Sequence, residues 1–194
     1  MVHDITIRQD ILIRKDIVIR KERLRDIDAR ENLLDEAFGE GRFTKSSQRL
    51  RDGRLPADGL SFVACDGGRV VGTVRLWSVS CGGRDALLLG PMAVADDCRS
   101  RGIGGKLIGR ALREARRAGH GAVVLVGDAA YYGRFGFSNA KTQDLRMPGT
   151  PEPERLLAIQ FVPGTLDGAR GAIVATGTVV PEIALPSQPL RRAA

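Results

Sequence analysis

The chain has 194 residues, of which 43% are hydrophobic and 27% charged, enough for one packed domain and short for two. Thirty Lys and Arg against 23 Asp and Glu leave a net charge of +7, and the apolar fraction is near the globular norm, which argues against wholesale disorder. No run of about 18 apolar residues occurs and the N-terminus alternates Ile with charge, so no membrane span or secretory signal is expected and a cytoplasmic location follows.

The first segment repeats itself. Asp4 to Gln9, Asp10 to Lys15 and Asp16 to Lys21 share the pattern Asp-Ile-x-Ile-Arg-polar. Strand side chains alternate with period 2, so an even repeat places Ile5, Ile7, Ile11, Ile13, Ile17 and Ile19 on one face of an extended strand. Asp16 to Arg20 leads into the next segment and is expected to be the first strand. Residues 1–15 then form an extension whose isoleucines need cover: a second chain's sheet edge would supply it, which predicts a homodimer, with a flexible arm as the alternative.

From Glu22 to Phe38, Leu24, Ile27, Leu34 and Phe38 fit the buried stripe of a helix that Gly39 and Gly41 end. A polar stretch with Pro56 and Gly59 follows. Ser61 to Cys65 and Arg69 to Trp77 flank Asp66-Gly67-Gly68 and read as a hairpin, which Ala86 to Val94 continues. Pro91 cannot donate to a ladder, so it predicts a bulge or a place where neighbouring strands part. Lys106 to Ala118 is an amphipathic helix with Leu107, Ala111 and Leu112 on one side and Arg110, Arg113 and Arg117 on another. Ala122 to Val126 is a short apolar run of the kind found in buried parallel strands. A short helix over Ala129 to Arg134, strands over Arg155 to Phe161 and Ala172 to Ala175, and a Pro-bearing tail over 181–194 complete the chain, with 16–180 as the single domain.

Three cysteines, Cys65, Cys81 and Cys98, with no Cys-x-x-Cys, argue for free thiols rather than a disulfide framework or thiolate metal site. With His3 and His120 the only histidines, no multi-histidine metal centre is expected. The densest signal is Arg99-Ser-Arg-Gly-Ile-Gly-Gly-Lys106, after an apolar strand and at the head of the amphipathic helix. Free N–H groups, the positive end of the helix dipole and glycines that admit close approach make a phosphate cradle. A Walker A loop fails because Ser100 and Leu107 occupy its Gly and Ser/Thr positions. A Gly-x-Gly-x-x-Gly loop fails because Leu107 replaces its last Gly.

Arg99, Gly102 and Gly104 fit Arg-x-x-Gly-x-Gly, and this resembles the pyrophosphate loop of the GNAT superfamily of acyl-CoA-dependent N-acetyltransferases. Gly90-Pro91 resembles that family's fourth-strand bulge. Tyr132-Gly-Arg-Phe-Gly136-Phe137 is similar to its Tyr-x-x-x-Gly-Phe ending, closest to a bacterial branch with Tyr-Tyr-x-Arg-Phe-Gly-Phe. The resemblance implies an α/β fold with a mixed, mostly antiparallel sheet and helices on both faces. It also implies acetyl-CoA as co-substrate, without a metal, held by Met92, Ala93 and Val94 along the pantetheine and by Arg99, Ser100, Arg101, Gly102, Ile103, Gly104, Gly105 and Lys106 at the phosphates. The basic face of the helix would suit the 3′-phosphate.

Tyr132 is the implied acid that protonates the departing thiolate, with core packing as the bland use of the same ring. The implied reaction is direct attack by the primary amine of a small-molecule or peptide acceptor. Two features depart from the family: Ala86 to Val94 carries no carboxylate to act as base, and Gly127-Asp128 stands where many members place an Asn. Among Asp85, Asp96, Asp97 and Asp128 nothing singles out a base. The missing base keeps open a non-catalytic acyl-CoA sensor or acyl-carrier-protein partner on the same fold. Nine aromatics with none clustered among the basic residues speak against a nucleic-acid binder.

Overall fold

The computed structural model describes residues 17–149 and 153–180. The N-terminal repeats before Ile17, with the extension and dimer expected of them, and the tail after 180 lie outside these residues. The elements are β1 (Val18–Lys21), α1 (Ile27–Phe38), β2 (Ser61–Asp66), β3 (Arg69–Cys81), β4 (Arg84–Val94), α2 (Ile103–Arg117), β5 (Ala122–Val126), α3 (Ala129–Gly133), β6 (Leu145–Arg146), β7 (Leu156–Gln160) and β8 (Gly171–Ala175). β1 to β4 form an antiparallel meander, β5 runs parallel to β4, and β7 returns antiparallel to β5. β8 pairs with the far end of β3 and carries β6 beside it. This is the mixed, mostly antiparallel sheet expected, with β6 too short to have left a pattern in the sequence.

Pro91 marks both a bulge and a parting of strands. Val74 faces Met92 and Leu76 faces Leu89, so Gly90 and Pro91 stand together against Arg75. Gly90 has φ 131°, a backbone conformation that residues with a Cβ rarely adopt. Its carbonyl accepts from the indole N–H of Trp77 at 2.6 Å. On the other side, β4 pairs with β5 only at Leu87 and Leu88. Beyond that point the two strands diverge, and the outer edge of Leu89 to Val94 has no strand partner among the described residues.

Alternation along β3 sends the helices to opposite faces. Gly72 faces α2: a Cβ there would come within 2.9 Å of Leu107 Cδ1 and 3.2 Å of Ile103 Cγ2. Arg75, three residues on and therefore pointing the other way, meets α1 through Glu22, which also takes an ion pair from Arg30. Ile103, Leu107, Ile108, Ala111 and Ala115 form the buried side of α2, which begins three residues earlier than its apolar pattern alone predicts. At the far end of the sheet Trp77, Val79, Leu88 and Val124 pack with Leu145, Met147, Leu166 and Ile173 in a second cluster.

The expected stripe of α1 needs correction. Leu24 is 87% exposed and Ile27 is 37% exposed, while Leu33 and Leu34 are buried with Arg30. The helix starts at Ile27 because Asp26 is held in the turn before it: its carboxylate accepts from Arg20 at 2.6 and 2.8 Å and from the N–H of Arg23 at 2.8 Å. The cationic and N–H partners hold the Asp26 carboxyl at about 2, well below its ordinary 3.8, with the Arg20 hydrogen bond the largest cause.

Two outcomes follow from this packing. Gly72→Ala should lower stability by roughly 1–3 kcal/mol by overpacking the α2 contact, read as a lower denaturant midpoint at an unchanged m-value. The depressed folded-state pKa of Asp26 means its contribution is complete above the unfolded value near 3.8 and is lost as pH falls toward 2. Asp26→Asn should therefore cost about 1–2 kcal/mol at pH 7, and urea titrations from pH 6 to pH 2.5 should show the gap from the parent closing on the acid side.

Candidate functional site

Where β4 leaves β5, the chain turns through Asp96–Cys98 and enters α2. Ser100 (φ 61°) and Gly102 (φ 74°) make the left-handed steps of this turn. Gly102 is the N-cap, and with no side chain it accepts nothing from the first-turn N–H groups. Those of Ile103, Gly104 and Gly105 remain as open donors at the positive end of a 15-residue helix. They border a cleft of about 720 Å³ whose walls include Met92, Ala93 and Val94 on the free edge of β4 and Arg99, Ser100, Gly102, Ile103, Gly104 and Gly105 on the turn. Phe38 closes one side, and Tyr131 and Phe135 the other. A Cβ on Gly104 would stand 2.9 Å from Tyr131 Oη, so the glycine keeps the mouth of the cleft clear.

Two of the residues expected at the phosphates do not line this cleft. Arg101 turns to Asp66 at 2.8 Å, and Lys106 is exposed. Arg99, which does line the cleft, pairs with Asp96 at 2.7 Å, and Arg69 pairs with Asp97 at 2.5 Å. The basic face of α2 is also partly neutralised, because Glu114 forms ion pairs with Arg110 at 3.0 Å and with Arg117 at 3.1 Å. Apart from Arg99–Asp96, three residues apart in the turn, each pairing joins residues distant in sequence or on one helix face, so the string of arginines alone does not reveal it. The loop therefore presents backbone donors more than free cations.

Adjacent residues on a helix point about 100° apart, and Tyr131 and Tyr132 use that difference. Asp128 caps α3 by accepting from the N–H of Tyr131 at 2.6 Å. Tyr131 then faces the cleft, while the ring of Tyr132 lies over Gly127, where a Cβ would overlap it. This gives Gly127-Asp128 a physical reason: one residue makes room for the ring and the next starts its helix. Tyr132 also meets Tyr131 edge-on at 5.0 Å and Phe137 at 6.0 Å. Burial pushes its hydroxyl up to about 12, with Tyr131 adding to the shift, so it is protonated at neutral pH.

Tyr132 borders a second cavity of about 300 Å³, on the other side of Phe38 and Met92, which line both spaces. Its further walls are the β4 bulge, Asp128, Arg155 and the segment from Arg42 to Arg51. That segment was only a polar stretch in the sequence. It is built from isolated turns, Glu40–Thr44 and Gln48–Leu50, which have no periodicity to read. Arg51 is only 7% exposed. Burial lowers its guanidinium to about 10, an effect that Asp52 opposes and Arg42 reinforces.

Cys65, Cys81 and Cys98 are all buried free thiols. Burial lifts Cys81 to about 12, which leaves it inert as a nucleophile. Among the described residues no group of three or more His, Cys, Asp or Glu is placed to hold a metal ion.

A sheet split beside a glycine-capped helix N-terminus, with a half-buried tyrosine at the split, is shared with acetyltransferases of known structure. The chain belongs to the acetyltransferase (GNAT) family, whose pattern matches residues 27–137. It is 38% identical over 124 residues to the Escherichia coli K12 N-acetyltransferase YhbS, covering 61% of this chain and 72% of that protein. The crystal structure of YhbS in complex with CoA superposes with a TM-score of 0.69 at 32% identity, covering 82% of this chain and 89% of that one. A Brucella melitensis GNAT acetyltransferase in complex with acetyl-CoA gives a TM-score of 0.64 at 28% identity, covering 84% and 97%.

Gly104→Val tests the cleft. The larger side chain would meet Tyr131 Oη and displace a ligand from the first-turn donors, and losing two charge-assisted hydrogen bonds at about 1.5–3 kcal/mol each predicts CoA affinity more than tenfold weaker by calorimetry. An unchanged affinity in a folded variant would place CoA elsewhere.

Proposed function

We propose that this protein transfers the acetyl group of acetyl-CoA to a primary amine held in the cavity beside Tyr132. The observation that carries this reading is the shared wall: Phe38 and Met92 border both the glycine-loop cleft and the Tyr132 cavity, so a thioester at the end of the first meets an amine from the second. The pyrophosphate lies against the open N–H groups of Ile103, Gly104 and Gly105. Arg99 and Ser100 stand beside it, and Arg101 and Lys106 contribute to the field rather than to contact. The pantetheine runs along Met92, Ala93 and Val94, whose free backbone edge can pair with it as a strand would.

The amine nitrogen attacks the thioester carbon, its carbonyl polarised by backbone N–H groups near Val94. The C–S bond then breaks, the departing thiolate takes the Tyr132 proton, and the proton that the nitrogen sheds on becoming an amide returns through solvent to the tyrosinate. Burial keeps Tyr132 protonated at neutral pH, so its proton is in place when the C–S bond breaks. No base residue is required on β4. Arg51, on the cavity wall without an ion-pair partner among the described residues, disfavours a further positive charge, which lowers the pKa of an incoming ammonium and helps it lose a proton to solvent.

The two tyrosines make opposite predictions. In Tyr132→Phe, turnover with a competent amine should fall by about 10² to 10⁴ while CoA affinity is kept. In Tyr131→Phe, the principal loss should be in CoA affinity, because that hydroxyl faces Gly104 in the cleft. Single-turnover kinetics with separate CoA titrations read both, and a Tyr132→Phe variant with parental chemistry would return that ring to a packing role.

A further inference from the structure

Among the described residues, most buried and half-buried arginines come with carboxylates. Arg20 is held by Asp26, Arg30 by Glu22 and Glu31, Arg42 by Glu31 and Asp35, and Arg75 by Glu22. Arg54 donates instead to the Gly177 carbonyl. Arg51 has neither kind of partner. It is 93% buried by its 7% exposure, yet no carboxylate among the described residues lies within ion-pair distance of it. Its Nε has no hydrogen-bond partner, and its one side-chain contact is a long 3.3 Å bond from Nη2 to Ser47 Oγ. A guanidinium presents five donors in a planar fork and is costly to bury unpaired. This one lies on the wall of the Tyr132 cavity, with Nη1 3.9 Å from where a Cβ of Gly90 would be.

We propose that Arg51 is the anchor for an oxyanion on the acceptor, so that the enzyme acetylates compact amines that also carry a carboxylate or a phosphate. The proposal rests on the acetyl-transfer reading above and names the substrate class of that site. The fork matches either oxyanion, because both offer two oxygens in one plane. Gly90, beside the anchor, is two residues from Met92, where the cleft and cavity meet, a separation of roughly 7 Å along a strand. The amine and the anion of the acceptor are therefore only a few bonds apart. A cavity of about 300 Å³ is at the small end of ligand sites, which favours an amino-acid-sized molecule over the lysine of a folded protein.

The test uses the full-length protein and acid–neutral pairs of amines: phenylalanine with phenylalaninamide, glycine with glycinamide, and O-phosphoethanolamine with ethanolamine. Spermidine serves as the cationic control. In the parent, kcat/KM should favour at least one acid over its neutral partner by tenfold or more, and whether the amino acids or the phosphate monoester show it identifies the oxyanion. In Arg51→Met that ratio should collapse towards one through KM, with CoA affinity by calorimetry unchanged to show that the fold is intact. Arg51→Lys should restore the ratio only partly.

A second readout does not depend on turnover. Acetate or inorganic phosphate titrated into the CoA-loaded protein should quench or shift the fluorescence of Trp77, the single tryptophan, which donates to Gly90 beside the anchor. That response should vanish in Arg51→Met. Equal rates on acids and their neutral partners, a preference for spermidine, or an anion response that survives in Arg51→Met would overturn the proposal while leaving acetyl transfer standing. Failure of the protein to bind CoA at all would instead strike the reading on which it rests.

Discussion

Two residues standing against one decide the shape of this molecule. Gly90 and Pro91 oppose Arg75, β4 bends, and its pairing with β5 stops at Leu88. A regular ladder would have joined β4 to β5 along its whole length and left no room for a ligand. Instead the edge of Met92 to Val94 keeps its hydrogen-bonding capacity, and the gap beside it receives the N-terminus of α2 from one direction and α3 from the other. The residue opposite the bulge is itself fixed, because Arg75 donates at 2.9 and 2.5 Å to Glu22, a carboxylate that burial pushes up and Arg30 holds down. The irregular point of the sheet is thus tied to the end of β1 and to α1 by charge, and α1 in turn brings Phe38 to the wall between the two cavities.

Charge is used differently on the two sides of that wall. The glycine-loop side has arginines that are already satisfied by aspartates and presents oriented backbone donors. The Tyr132 side brings Arg42, Arg51 and Arg155 together and leaves Arg51 with no carboxylate within ion-pair distance among the described residues.

The sequence was most informative where one segment carries its own pattern. The β2–β3 hairpin, the β4 meander with its proline, the amphipathic α2 and the apolar β5 were all legible, because turn residues and periodicity are local. α1 was misread at its start because Leu24 fits the spacing, and what excludes it is the Arg20–Asp26 clasp, a pairing across elements that a periodic pattern does not contain. The glycine loop and the tyrosine motif were visible as motifs. The different placement of Tyr131 and Tyr132 was not, since it depends on the absence of a Cβ at Gly127. Least legible was the segment from Arg42 to Arg51: its turns are irregular, and its importance comes from burial against β4, which composition does not encode.

The paired arginines around the glycine loop bear on how the protein meets its cofactor in solution. With Arg99, Arg101 and Arg69 each spent on an aspartate, the loop has little net charge of its own, and its N–H donors act only at contact. The surplus of +7 is carried elsewhere on the surface and reaches outward over about a Debye length, roughly 8 Å at physiological ionic strength. Added salt should therefore slow the encounter with an anionic nucleotide more than it shortens the lifetime of the complex. Capture and retention are assigned to different parts of the molecule.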